Sequence, residues 1–222
     1  DDELRKRGLS RDDIRFLSRV LDVMNREDTE YTLLDSMRPL RDELEELNLQ
    51  HLIDQNLVED ASACSRKYYT VLPAGRELLG EKLQVGPGLG DVGEKTPHKV
   101  GVRLLELWLQ QQDEVARIAP YHEHNGDTVF DVAGFDENDE LVWVGEAELP
   151  SNNIHAHSDD YDKLCSVDAD AIWAFNNRET AVEVLDRLAD ADRIEESVSG
   201  RDARSFSTIR DAIADFDAAG MT

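Results

Sequence analysis

The chain has 222 residues, with 49 acidic against 24 basic side chains and a formal net charge of −25 at pH 7. No apolar run approaches the roughly 20 residues that cross a bilayer, and no signal peptide opens the sequence, so a cytoplasmic protein without a membrane anchor is expected. The acids are spread over every segment while apolar periodicity persists, which reads as the surface of a folded protein from a high-salt cytoplasm rather than as disorder. Molar salt confines self-repulsion to about 3 Å. In such a protein acidity is the background, and local basic or metal sites must carry any inference about partners. Cys64 and Cys165 suggest neither a disulfide framework nor a zinc ribbon. The first residue is Asp1, so the sequence is read as part of a larger polypeptide.

The N-terminal part is expected to be mostly helical. Ser10 is a candidate N-cap for "LSRDDIRFLSRVLDVMN", with Ile14, Leu17, Val20, Leu21 and Met24 on one face. "EYTLLDSM" is expected as a short second helix. Pro39 starts a third, "PLRDELEELNLQHLIDQ", with Leu40, Leu44, Leu47 and Leu52 inward. "NLVED" and "KYYTVL" read as strands joined by "ASACSR", and "PAGRELLGEKL" as a closing helix. Residues 83–97, "LQVGPGLGDVGEKTP", are the clearest linker. The expected domains are 1–83, a linker at 84–97, and 98–222.

The order helix–helix–helix–hairpin–helix, and the stretch "HLIDQNLVEDASACSRKYYTVLPAGRELL", resemble the winged-helix domains of MarR/PadR-type regulators. The resemblance implies an α+β winged helix that contacts DNA through its third helix and its wing. On this sequence the phosphate candidates are Arg38 and Arg41 on the third helix and Arg66 and Lys67 in the wing. Asp42, Glu43, Glu45 and Glu46 oppose them.

In the C-terminal part, "PHKVGVRLLELWLQQQ" is an amphipathic helix with Val100, Leu104, Leu107 and Trp108 on one stripe. "EVARIAPYHEH" is a first strand. "DTVFDVAGFD" and "ELVWVGEAEL" form a hairpin across "DEND". "DDYDKLCSV" begins a helix, "ADAIWAFNN" is a buried strand, and "RETAVEVLDRLADA" and "DARSFSTIRDAIADF" are helices. Strand alternation sets Asp131 mid-strand between apolar Phe130 and Val132, and an unpaired carboxylate in such a place is costly to bury. Glu146 and Glu148 share one face of the next strand, with Ala147 on the other. Convergent carboxylates suit Mg²⁺ or Mn²⁺, which take oxygen ligands, activate water and stabilise charge on a phosphoryl oxygen.

An Asp on one strand, a hairpin, and a Glu on the next strand followed two residues later by a third polar position resemble the PD-(D/E)xK nuclease superfamily, in an α-β-β-β-α-β core. The resemblance implies an α/β restriction-endonuclease-like domain with a central mixed sheet flanked by helices. It implies metal binding at Asp131 and Glu146, with Glu148 standing where the family carries lysine. Lys163, the only lysine after Lys99, lies on the following helix and takes the catalytic lysine's part as a point charge. Glu106 and His98 on the first helix are candidate assisting groups, and Asn152 and Asn153 are candidate phosphate contacts.

The expected function is metal-dependent cleavage of DNA, with the winged helix recruiting the substrate, in a protein resembling haloarchaeal mobile-element proteins. Two alternatives stand beside it. One is a nuclease-fold regulatory module that binds DNA without cutting. The other is a protein-interaction tail of a larger DNA motor ATPase or replication protein. A homodimer is compatible with each. His122/His124 and His155/His157 form His-x-His pairs that would suit zinc on a strand, without supporting thiols. Trp143 and Trp173 read as core. There is no Walker A loop, Rossmann glycine pattern or nucleophile elbow.

Overall fold

A computed structural model describes residues 6–63, 66–86, 88–91, 93–126, 128–148, 154–175, 177–194, 197–198 and 201–202. The chain is mixed α+β and divides into two compact units, Asp1–Val100 and Gly101–Thr222.

In the first unit, α1 (Arg11–Met24) starts at Ser10 with a reciprocal cap. Asp13 N–H donates to Ser10 Oγ at 3.0 Å and Ser10 N–H to Asp13 Oδ2 at 2.8 Å. Its buried face holds Phe16, Leu17, Val20, Leu21 and Met24. The stripe is rotated from the expected one: Phe16 is fully buried and Ile14 only half-buried.

The expected helix "EYTLLDSM" does not form. Side chains take the main-chain N–H groups a helix would use. Asp28 Oδ1 accepts from Glu30 and Tyr31, both at 2.8 Å, and Asp35 Oδ2 accepts from Thr32 N–H at 2.7 Å. Tyr31, Leu33, Leu34 and Met37 are nonetheless buried, so the segment packs as an apolar turn.

The expected third helix is two helices, α2 (Arg38–Glu43) and α3 (Leu49–Asp54). The break has a tertiary cause. Asp13, 1% exposed, also accepts from Asn48 N–H through Oδ1 at 2.8 Å, and Asp12 accepts from Glu46 N–H at 3.0 Å. Ser10 Oγ donates to the Glu46 carbonyl at 3.0 Å. The N-terminus of α1 thus claims the backbone of residues 46–48, and Asn48 caps α3 through His51 N–H.

Strands β1 (Val58–Ala63) and β2 (Arg66–Val71) pair antiparallel, with Val58 opposite Val71. Helix α4 (Pro73–Leu79) begins with proline and ends on Gly80 in the left-handed region. Gly75 is required by packing, because a Cβ there would stand 2.3 Å from the Leu57 carbonyl oxygen. The glycine-rich stretch is bonded to this unit through Gln84 N–H to Asn25 Oδ1 at 3.0 Å and through Lys99 Nζ to the Leu89 carbonyl. Helix α5 (Thr96–Leu109) starts where Thr96 N–H donates to Thr70 Oγ1 at 3.0 Å.

The second unit is a four-stranded mixed sheet ordered β3 (Arg117–His124), β4 (Thr128–Phe135), β5 (Leu141–Glu148), β6 (Asp170–Phe175). The first three strands are antiparallel, and β6 runs parallel to β5 after the crossover helix α6 (Ile154–Cys165). This is the mixed sheet with helices expected from the sequence. Helix α7 (Arg178–Asp190) follows, then a short hairpin of β7 (Ser197–Val198) and β8 (Arg201–Asp202). The last expected helix spans residues 202–216; Asp202 ends the second of these strands, and the rest lies outside the described residues.

Two apolar clusters flank the sheet. Val102, Leu105 and Leu109 of α5 pack with Tyr121, Val132 and Ala147. Leu164 of α6 packs with Phe130 and Val144. The α5 packing is close: a Cβ on Gly101 would meet the Ala147 Cβ at 2.9 Å.

Candidate active site

The site begins where β4 stops pairing with β5. Their ladder runs from Phe135–Leu141 down to Val132–Gly145 and ends there. On the other side, Tyr121 has a φ of 50° and the ladder to β3 skips the Tyr121–Asp131 position. Val132 packs with the α5 cluster while Phe130, two residues away, packs with the α6 cluster. The simple alternation expected from the sequence therefore breaks at Asp131. Its carboxylate does what a neighbouring strand's carbonyl would do: Oδ2 accepts the Ala147 N–H at 2.8 Å.

Glu146 lies on β5 beside it, 5% exposed, and its Oε1 accepts weakly from Asp131 N–H at 3.4 Å. Lys163 reaches the same oxygen from α6, with Nζ 2.8 Å from Glu146 Oε1. The ammonium also lies 3.2 Å from Asp160 Oδ1 and donates to the Val129 carbonyl at 3.0 Å. Three acceptors match its three N–H bonds. Asp131, Glu146 and Lys163, singled out from the sequence, are thus brought together.

The electrostatics follow from burial. Desolvation pushes the Glu146 carboxyl up to about 9, the Asp131 charge pushes the same way, and Lys163 opposes both. Burial pulls Lys163 down, but Glu146 and Asp160 outweigh it and its pKa rises. Lys163 thus faces a carboxyl whose burial favours its neutral form.

Glu148 ends β5, 2% exposed, paired in register with Phe175 of β6. Glu106 is buried on α5 and is bonded by Arg103 Nη1 at 2.8 Å. His98, in the first unit, has Nδ1 3.3 Å from Glu94 Oε1. Asn152 and Asn153 lie outside the described residues. Of the expected DNA contacts, Arg38 and Arg41 both pair with Asp42, at 3.4 and 2.8 Å. Arg66 donates to the Leu34 carbonyl and Lys67 pairs with Asp60. Sequence reading missed the second role of Asp131 as a main-chain acceptor, which nothing local signalled.

His122 and His124 sit side by side on β3, rings 6.2 Å apart, against Phe135 and Phe130. Burial, His124 and Arg117 lower the His122 pKa. The side chains of His155 and His157 lie outside the description. Trp143 is half-buried against Trp108 and donates to Glu114 Oε1 at 2.8 Å. Trp173 packs with the α6 cluster.

No family model, curated protein or solved structure matches this chain, so function is read from its own side chains.

Proposed function

We propose that the chain is a Mg²⁺- or Mn²⁺-dependent phosphodiesterase acting on DNA, a PD-(D/E)xK-like unit following a winged-helix-like unit that recruits the substrate. The observation that carries this reading is the convergence of Asp131, Glu146 and Lys163 where β4 parts from β5. The donor set fits a hard divalent cation, being two carboxylates on adjacent strands. A cation held by Asp131 and Glu146 would supply Lewis acidity at a phosphoryl oxygen and a more acidic bound water. The chain's own groups do the rest. The Ala147 N–H holds Asp131 in orientation. As a ligand Glu146 would be ionised, and Lys163 would offer its ammonium to the charge that grows on the scissile phosphate. Among the described residues no helix is long and apolar enough to cross a membrane.

A specific observation favours a second reading, a nuclease-fold module that binds DNA without cutting it. By the resemblance Glu148 stands where the family carries lysine, and Lys163 is engaged by three acceptors. Plasmid and linear DNA incubated with the protein and Mn²⁺ in molar KCl, beside Asp131→Asn, separate the two. Cleavage by the parent chain and none by the variant is the expected result. Cleavage by both, or by neither, refutes the enzymatic reading, and DNA shifted but uncut supports the second.

A further inference from the structure

Basic side chains are scarce in this chain, and in the first unit many are spent internally. Arg19 binds Asp28 and Glu30, Arg38 and Arg41 share Asp42, Lys67 pairs with Asp60, and Arg66 is tied to a carbonyl. Lys6, Arg11, Arg15 and Lys82 are exposed and make no ion pair among the described residues. Arg11 and Arg15 are four apart on α1, so they stand on one helix face one turn apart. Arg19, the next on that face, is the one that is neutralised. The acids within this stretch are turned to other work: Asp12 accepts Glu46 N–H at 3.0 Å, and Asp13 is buried between Ser10 and Asn48. Like charges one turn apart repel in the free protein. In a chain of net charge −25, two cations on one helix face with no ion pair among the described residues favour an anion there.

We propose that Arg11 and Arg15 form the phosphate-contacting surface of the first unit and take the backbone of duplex DNA, in place of the Arg38, Arg41, Arg66 and Lys67 set. This rests on the DNA-directed reading above. Arginine suits the role, since its planar fork meets phosphate oxygens in pairs. Contacts of this kind position the protein without reading sequence. The 44–48 loop brings an exposed acid, Glu46, to the same edge.

The test is fluorescence anisotropy of a labelled mixed-sequence duplex with the full chain, in EDTA across a KCl series, for the parent, Arg11→Gln/Arg15→Gln and Arg38→Gln/Arg41→Gln. Circular dichroism checks that each is folded. The first double variant is expected to bind about tenfold or more weakly and to lower the slope of log affinity against log salt by about 2. The second is expected to bind like the parent, and Glu46→Gln to bind more tightly. Parent-like binding by Arg11→Gln/Arg15→Gln overturns the proposal, as does equal weakening by the Arg38/Arg41 pair. Competition by polyglutamate as effective as unlabelled DNA also overturns it, by assigning the edge to acidic protein. If the parent cleaves DNA while Arg11→Gln/Arg15→Gln binds unimpaired, this surface fails and the phosphodiesterase reading stands. If the parent neither binds nor cleaves, both fail.

Discussion

Replacing Glu146 by glutamine keeps the shape of the side chain and removes its titration. Burial holds the Glu146 carboxyl at about 9 in the folded chain, against an ordinary value of 4.5. Between those values the folded chain keeps a proton that the unfolded chain has lost, so stability falls as pH rises. The contribution is fully present below 4.5 and is gone once pH passes 9. Its slope is at most about 1.4 kcal/mol per pH unit. The glutamine variant has no such slope. Urea-unfolding free energies at fixed KCl, taken from about pH 6 to about pH 8 for both proteins, give the difference directly, because every other titratable group is common to both. The parent is expected to lose about 1 kcal/mol per pH unit relative to Glu146→Gln across that range. At the acidic end, where Glu146 is already neutral, the two should differ by less than about 1.5 kcal/mol. Parallel curves would refute the reasoning, since they would mean that Glu146 is ionised throughout and that Lys163 outweighs its burial.

The same site predicts a proton released on Mn²⁺ binding, with affinity rising up to about tenfold per pH unit below the Glu146 pKa; calorimetry in buffers of different ionisation enthalpy reads both. Asp131→Ala orphans the Ala147 N–H and should cost about 1–3 kcal/mol in urea unfolding, whereas Asp131→Asn keeps an acceptor and should cost clearly less. Asp13→Ala removes the acceptor shared by Ser10 and Asn48 and should cost about 1–3 kcal/mol by the same measurement, with α1 and α3 loosened together in hydrogen exchange. Gly101→Val overpacks α5 against Ala147 and should cost about 1–3 kcal/mol, part of which Ala147→Gly restores in a double-mutant cycle.

Much of the local order was legible in the chain because its causes are local. The Ser10 cap, the proline starts of α2 and α4, the turn at residues 136–140 and the apolar periodicity of α1 and α5 depend on residues a few positions apart. Such signals predicted the elements flanking the site and the pairing of β4 with β5. They also marked Asp131 as a carboxylate in apolar company, and Lys163 as the lone lysine of its half. They failed at residues 30–37 and 44–48. There the apolar spacing suits a helix, but side chains of Asp28, Asp35, Asp12 and Asp13 take the main-chain donors first.

Composition and pattern by themselves determined the class of the fold, the order of strands and helices from α5 to α7, and which acids stand apart from an acidic background. Periodicity and capping act over a turn or a pleat, and the sequence states them directly. Which groups meet was decided by the tertiary structure. Val129, Asp131, Glu146, Asp160 and Lys163 come from two strands and a crossover helix, and they converge because β4 leaves the ladder at Asp131 and α6 returns across that face. The same is true of charge. Every arginine carries the same charge in the sequence, but Asp42, Asp60 and the Leu34 carbonyl engage the four cations first expected to meet DNA, while Arg11 and Arg15 are exposed with no ion pair among the described residues. Pairing falls off over a few ångströms, so only the folded distances determine which charges are left to act.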